Sequence, residues 1–344
     1  MSDTTPAISV VISTYNRAAL LGDAIESVLS QVDAPPFDLT VVDNNSTDDT
    51  RAVVERLIPG SNGRLRYVFE GRQGVSYGRN AGIAATRGAI IAFTDDDVRA
   101  RPDWLARIAA AFEAHPWADF VGGKVLPRWP GPVPAWLTPE HWGPLALIDY
   151  APEPVRVDLE RPICLVSANL AVRRATVERV GGFDPAYQHI PGSVTACEDH
   201  EWELRVLRAG GAGLYTPDVV LEADVQPNRL GKAYHRKWHF DHGVALTRML
   251  GPDQTFNARM VPVAAAGGRR RMLFGAAPWV YRSLVVHAAR AVVAWLGNRR
   301  DAAFLHELHA RDMLGHVVGR SRGLGTAGAP APRVSAARPS AVAG

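Results

Sequence analysis

Short apolar runs alternate with segments of helical spacing through roughly the first 120 residues. Ile8 to Ile12, Leu39 to Val42, Leu65 to Phe69 and Ala89 to Phe93 read as strands, because continuous β-branched and apolar runs of this length suit strands buried on both faces. Between them, Asp23 to Leu29 has helical spacing, and Ser46-Thr47-Asp48-Asp49 carries a capping-box pattern for a helix ending near Pro59-Gly60. A third helix is predicted from about Val75 to Arg87, with Gly88 stopping it at the C′ position. This alternation predicts an α/β fold with a mostly parallel sheet flanked by helices.

The pattern then breaks. From Leu126 to Pro162, nine prolines and the tryptophans Trp129, Trp136 and Trp142 crowd a stretch of little periodicity, which reads either as an ordered insertion over a substrate or as a mobile loop. Structure resumes with Cys164 to Ala171, a short helix from Arg173 to Val180 ending at Gly181-Gly182, and a helix from about Glu198 to Ala209 stopped by Gly210-Gly211. Met272 to Gly297 is apolar but interrupted by Arg282, His287 and Arg290. At about 100° per residue, Arg282, Ser283, His287 and Arg290 span an arc of roughly 140°, so the segment predicts an amphipathic helix and not a membrane span. Arg269-Arg270-Arg271 before it suits anionic headgroups; a helix docked on the main domain or on a second subunit fits the same pattern. After Gly319 large apolar residues nearly vanish, which predicts disorder.

Composition narrows the classes. A formal charge of +3 over 344 residues is too small to imply nucleic acid, and only Lys124, Lys232 and Lys237 of the 38 basic residues are lysines. Cys164 and Cys197 offer neither a disulfide framework nor a zinc cluster, and Met1 to Ala7 is polar. A cytoplasmic protein is expected, with peripheral contact at the inner membrane face if the amphipathic helix binds lipid.

The candidate chemistry centres on Asp95-Asp96-Asp97, directly behind the apolar run ending in Phe93-Thr94. Ligands bind beyond the C-terminal ends of strands in open α/β sheets. Three adjacent carboxylates repel one another, and a hard divalent cation carrying a phosphorylated substrate is their natural partner. An acidic turn in water is the plain alternative.

Several motifs in order resemble the family 2 glycosyltransferases: Val10-Val11-Ile12-Ser13-Thr14-Tyr15-Asn16-Arg17, Val41-Val42-Asp43-Asn44-Asn45-Ser46-Thr47-Asp48, Gly78-Arg79-Asn80-Ala81-Gly82, Asp95-Asp96-Asp97, Gly181-Gly182-Phe183-Asp184 and Glu198-Asp199. The resemblance covers roughly Ile8 to Gly243. It implies a GT-A fold, a Rossmann-like nucleotide-binding sheet, and transfer of a sugar from a nucleoside-diphosphate donor to a hydroxyl with inversion. The donor is expected to be UDP-linked, and the acceptor a glycan, a lipid-linked glycan or a small molecule. The implied organisation is a catalytic domain over 1–243, with a nucleotide-binding half to about 120 and an acceptor-side half after it. A helical extension over 244–318 and a disordered tail over 319–344 follow. Oligomeric state is not encoded in any of these motifs.

The resemblance also implies roles. Thr14, Tyr15, Asn16 and Arg17 follow the first strand and are expected to face the nucleotide; Asp43 is expected to accept the uracil imide N–H, with Asn45 beside it. Arg79 and Asn80 sit on the helix leading to the aspartates, Arg79 as a diphosphate clamp. Asp97, with Asp95, is expected to hold Mn²⁺ or Mg²⁺, while Asp95 and Asp96 approach the ribose or metal-bound water. Asp199 is the expected general base and Glu198 its orienting neighbour; as acids at a helix N-terminus both also suit a simple cap. Asn169, read as ending an apolar strand, is expected on the acceptor side, and Trp129 and Trp136 could stack on sugars or form local core. One departure stands out: the histidine that many relatives carry would align near Ala223, where there is none, leaving Glu222, Asp224 or water to complete a metal shell. Two rivals share these features, a non-catalytic nucleotide-sugar-binding module and a nucleotidyltransferase. The second would want a Gly-rich basic loop where Ser13 to Ala18 stands.

Overall fold

The computed structural model describes residues 6–189, 192–257 and 261–324. In chain order the first half runs β1 (Ile8–Thr14), α1 (Ala18–Leu29), β2 (Phe37–Asp43), α2 (Thr50–Leu57), β3 (Leu65–Phe69), α3 (Val75–Ala85), β4 (Ile90–Thr94), β5 (Val98–Ala100), α4 (Trp104–Ala114) and β6 (Phe120–Arg128). There follow β7 (Val155–Val157), β8 (Asn169–Arg173), α5 (Arg174–Val180), α6 (Glu198–Arg208), β9 (Gly213–Asp224), α7 (Lys232–Leu246), α8 (Pro278–Leu296) and α9 (Arg300–Ser321).

One sheet organises these elements, in the order β3-β2-β1-β4-β8-β6-β9-β5, with β7 on the other end of β9. β3, β2, β1 and β4 are parallel neighbours, as the βα alternation predicts. Beyond β4 the sheet is mixed: β8 runs antiparallel to β4 and β6, β5 and β7 run antiparallel to β9, and β6 and β9 pair in parallel. The mostly parallel expectation therefore holds for the nucleotide-side half. The crossover rule that enforced it there does not operate once the Pro-rich insertion replaces regular helices.

Alternation along β1 sends Ile8, Val10 and Ile12 to one face, where Leu21, Ala24, Ile25 and Val28 of α1 bury completely. Val11 points the other way, into a second core with Ile83 of α3, Phe93 of β4 and Trp202 of α6. Each large side chain so buried is worth about 1.5–3 kcal/mol. On this second face α3 lies close to β1, because a side chain at Gly78 would collide with Ser13 and one at Gly82 with Val11.

Several local expectations change. Asp49 occupies the N-cap of α2 without a side-chain cap bond, and Asp48 does the capping instead. Its Oδ1 accepts from Thr50 N at 3.1 Å and its Oδ2 from Ala18 N at 3.0 Å, so one carboxylate serves the N-termini of both α2 and α1. α3 ends at Ala85, with Thr86 already extended, and Gly88 is not its C′ residue. Gly88 is needed because a Cβ there would meet the backbone of Ser9 at 2.6 Å.

The Pro-rich insertion is ordered. Leu137, Leu145 and Leu147 bury with Val125 and Val225 in a small separate core, against which Trp129, Trp136 and Trp142 pack. α7 spans the position expected for the domain boundary at 243 and packs on α9, which in turn carries α8. The expected disorder after 319 does not begin there: α9 continues to Ser321, and buried Arg320 donates to the carbonyls of Leu250, Gly251, Pro252 and Gly275. Residues 325–344 lie outside the described residues.

Candidate functional site

β1 and β2 end in register at Thr14 and Asp43, and β4 ends beside them at Thr94, so the turns that follow open at one edge of the sheet. The three aspartates follow Thr94 at once and reach a cavity of about 230 Å³. Arg17, Arg79, Asp95, Asp96, Asp97, His189, Glu198, Asp224 and Arg229 all line it. Six separate stretches of chain therefore converge on a pocket whose polar groups are nearly all charged. The Asp97 carbonyl accepts from Asp224 N at 2.8 Å, which pins the aspartate turn to the end of β9.

Arg79 is not the exposed helix arginine that its position alone suggests. It is buried, with Nη1 donating to Glu198 Oε1 at 2.6 Å, Nη2 3.5 Å from Asp95 Oδ1, and its guanidinium over the Phe183 ring. Both of its arms are thus engaged by acids on two different elements. Glu198 Oε2 is buried and has no hydrogen-bond partner among the described residues.

The aspartates differ in environment. Asp97 Oδ2 accepts from Arg17 Nη1 at 3.1 Å. Burial and then the Asp95 charge push the Asp97 carboxyl up, with Arg17 and Arg229 opposing. Burial and then Asp97 push Asp96 up to about 7. Asp95 is the most exposed of the three carboxylates that face the cavity. Burial and then Asp199 likewise push Glu198 up, with Arg79 opposing.

On the nucleotide side, the structure separates residues that the motifs run together. Tyr15 is exposed beyond β1. Asn16 takes a left-handed conformation with φ 51°, and its Oδ1 accepts from Thr47 N at 2.7 Å, which ties the first strand–helix turn to the second. Asn45 is likewise left-handed and exposed. Thr14 and Asp43 are buried; Asp43 Oδ1 accepts from Ser46 N and its Oδ2 from Tyr67 Oη, each at 2.8 Å. Asn80 departs from its expected donor contact, because both ends of its amide bond the backbone of Phe183: Nδ2 donates to the carbonyl at 2.7 Å and Oδ1 accepts from the N–H at 2.9 Å. Its neighbour Asn44, which sequence reasoning passed over, similarly holds the β3–α3 loop through Glu70, Arg72 and Gly74.

On the acceptor side, Asn169 is a correction. It begins β8 and is fully engaged in the core: Oδ1 accepts from Trp104 Nε1 at 2.9 Å, and Nδ2 donates to Lys124 O and Val219 O. Both amide hydrogens are used, and the side chain is buried away from the cavity. Trp136 is also displaced from the expected role, since it meets His141, His235 and Phe304 edge-on, and Lys232 lies over its ring. Trp129 packs on the insertion's own core. Neither tryptophan lines the cavity. Glu203 is buried and accepts from Leu165 N through both oxygens. Asp199 sits one residue from cavity-lining Glu198; its Oδ2 accepts from Ser167 N and Oγ, each at 3.3 Å, and its Oδ1 from His200 N.

Two ionisable cavity residues escaped the sequence reading. Arg229 lies in the 3₁₀ turn Pro227–Leu230, just past β9, and His189 follows the turn after Phe183. Asp224 and Ala223 do line the cavity, but Asp224 is held by Arg128 at 2.9 Å and Arg99 at 3.2 Å. An arginine within five residues of a strand end already suspected of facing the site was the available signal.

Residues 9–181 match the model of the family described as glycosyl transferase family 2. Among individual relatives, the glycosyltransferase AglE of Haloferax volcanii is 26% identical over 72% of this chain and 79% of its own length. The glucosyl-dolichyl phosphate glucuronosyltransferase of the same organism is 29% identical over 52% of this chain and 56% of its own. A mannosyltransferase of Pyrobaculum calidifontis, solved with GDP-Man and Mn²⁺, superposes with a TM-score of 0.52 at 23% identity, over 72% of this chain and 64% of its own. Against the last two proteins the chain thus spans less than two thirds of their length, and the structural likeness is one of fold, GT-A.

Proposed function

Because this chain belongs to glycosyl transferase family 2, whose members use nucleotide-sugar donors, we propose that its cavity holds the diphosphate of a UDP-sugar and that the sugar passes, with inversion, to a hydroxyl of a glycan or lipid-linked glycan. The observation that carries the reading is the convergence of Asp95, Asp97, Arg79, Arg229 and Glu198 on one cavity at the C-terminal edge of the parallel strands. Arginines suit a diphosphate, and carboxylates suit the cation that accompanies it.

The fit to a metal is specific in kind. Among the described residues no group of three potential ligand side chains converges, so a closed protein cage is not available. A dication that keeps waters and phosphate oxygens needs only one or two carboxylates, and Asp97 with Asp95 supplies them. When bound, Mn²⁺ or Mg²⁺ offsets the charge that develops on the departing diphosphate. Arg17 holds Asp97 in place, and Arg229 faces the same phosphate region.

The proton is assigned to Asp199. Glu198 is committed to a cation at 2.6 Å, which lowers its use as a base, whereas Asp199 meets only neutral donors at 3.3 Å on Oδ2. In the step, Asp199 takes the acceptor hydroxyl proton as that oxygen bonds the anomeric carbon. The bond from that carbon to the diphosphate oxygen breaks from the opposite face, and the nucleoside diphosphate leaves. Glu198, through its unpartnered Oε2, is positioned to accept from a sugar hydroxyl. Tyr15 offers an exposed ring for the base, and Asp43 accepts the imide N–H in exchange for Tyr67 or Ser46. The lipid-linked acceptor draws support from the dolichyl phosphate substrate in the name of one relative.

Thermal melting with UDP-, GDP- and dTDP-sugars, each with and without Mn²⁺, tests the donor, because a ligand that binds only the folded state raises the melting temperature. UDP-sugars with Mn²⁺ are expected to give the largest rise. A larger rise with GDP-sugars would overturn the UDP assignment, and a rise indifferent to Mn²⁺ would overturn the metal.

A further inference from the structure

α8 and the turn before it carry more than half of the large hydrophobic residues that the described residues expose. Of 17 exposed large hydrophobic residues, nine fall between Leu273 and Leu296. The helix packs on α9, where His287 meets His306 and His309, and its less exposed residues Val280, Leu284, His287, Ala291 and Ala294 share one side. Next to that face Val285, Ala288, Val292, Trp295 and Leu296 fall within an arc of about 100° at the helical rotation. Val285 is 65% exposed, Trp295 64% and Leu296 71%. The stripe continues past the N-terminus of the helix: Tyr281 Oη donates to Leu273 O at 2.6 Å, and Leu273 bridges to Ala276 across a tight turn whose tip is Phe274, 71% exposed.

Charge says what covers this face. From Gln254 to Arg300 the sequence contains no aspartate or glutamate, but eight arginines. One of them, Arg282, stands exposed on α8 about 40° from the edge of the stripe. A second copy of the chain seated face to face would bring together two stretches that each carry arginines and no acid. An anionic lipid surface meets both features at once, since it takes the apolar stripe into its acyl boundary and the arginines among its headgroups. No helix among the described residues is long and apolar enough to cross a membrane, so the helix would lie in the plane of the surface.

We propose that α8 and the Leu273–Ala276 turn form a surface that binds anionic membranes. Binding of vesicles reads this without donor, metal or turnover, so its outcome is separate from that of the transfer reaction. The whole chain is mixed with vesicles of pure phosphatidylcholine, or of equal parts phosphatidylcholine and phosphatidylglycerol, and sedimented at low and high salt. Sedimentation is expected with the anionic vesicles only, and is expected to weaken at high salt as the arginines are screened. Each arginine near such a surface is worth roughly a fivefold change in binding, so Arg282→Gln should weaken it about fivefold. Val285→Gln, Val292→Gln and Trp295→Gln together should abolish sedimentation with the melting temperature unchanged, because these side chains already face solvent. Absence of sedimentation with anionic vesicles at low salt would overturn the proposal. So would a dimer in light scattering that the triple variant dissociates, or a triple variant that melts several degrees lower, since either means that protein covers the face.

Discussion

Arg79 Nη1 and Glu198 Oε1 lie 2.6 Å apart and join α3 to the first turn of α6 across 119 residues of sequence. Both side chains are buried, and the second arm of Arg79 faces Asp95. One cation thereby links the aspartate cluster to the Glu198–Asp199 pair, the two acidic elements on which the proposed chemistry depends.

Removing that cation should cost more than an ordinary salt bridge. Arg79→Met leaves Glu198 buried and uncompensated, which is worth about 3–5 kcal/mol of stability. The double variant Arg79→Met with Glu198→Gln should recover part of the loss, because no buried charge is left alone. Urea unfolding of the three proteins measures it. A single variant as stable as the parent would show that the pair contributes nothing to the fold.

Asp97→Ala should abolish metal-dependent donor binding while the chain stays folded, because it removes one of three adjacent like charges and frees only Arg17. Calorimetric titration of a UDP-sugar with and without Mn²⁺ reads the effect. Donor affinity in the variant equal to that of the parent, still dependent on Mn²⁺, would remove Asp97 from the metal site.

Asp199→Asn keeps the size of the side chain and its bonds to Ser167 while removing the base. Turnover should fall by about 10²- to 10⁴-fold with donor affinity nearly unchanged. Steady-state kinetics beside direct donor titration separates the two quantities. Turnover within a few-fold of the parent would transfer the role to another group.

Stability should fall as the solution is acidified from about pH 6.5 toward 4. Burial holds His235 and His316 down to about 4, against a reference value of 6.5. Between those values the unfolded chain binds more protons than the folded one, so acidification favours unfolding by about 1.4 kcal/mol per pH unit for each histidine. Replacing His316, which packs against Phe256, by phenylalanine should reduce that slope by one proton's worth. Unfolding free energies at pH 7 and pH 5 give the slope directly, and an identical slope in the variant would count against the assignment.

What the sequence determined by itself is what short-range pattern encodes. Apolar runs of strand length at regular intervals specified β1 to β4 and their parallel direction, and placed the Asp95-Asp96-Asp97 turn behind a strand end. The family motifs likewise lie in contiguous stretches, and residues 9–181 carry enough of them to assign the family. Tertiary structure alone decided which polar residues are free. Asn80 and Asn169 look like ligand contacts in a linear reading, yet each spends its amide on groups from distant segments. Arg229 joined the cavity, and Trp136 left it, through packing among β9, α7 and α9. The reason is physical: strand and helix formation depend on neighbours within a few residues, whereas a buried hydrogen-bonding group must be satisfied by whatever the fold brings alongside it, and sequence spacing does not record which group that is.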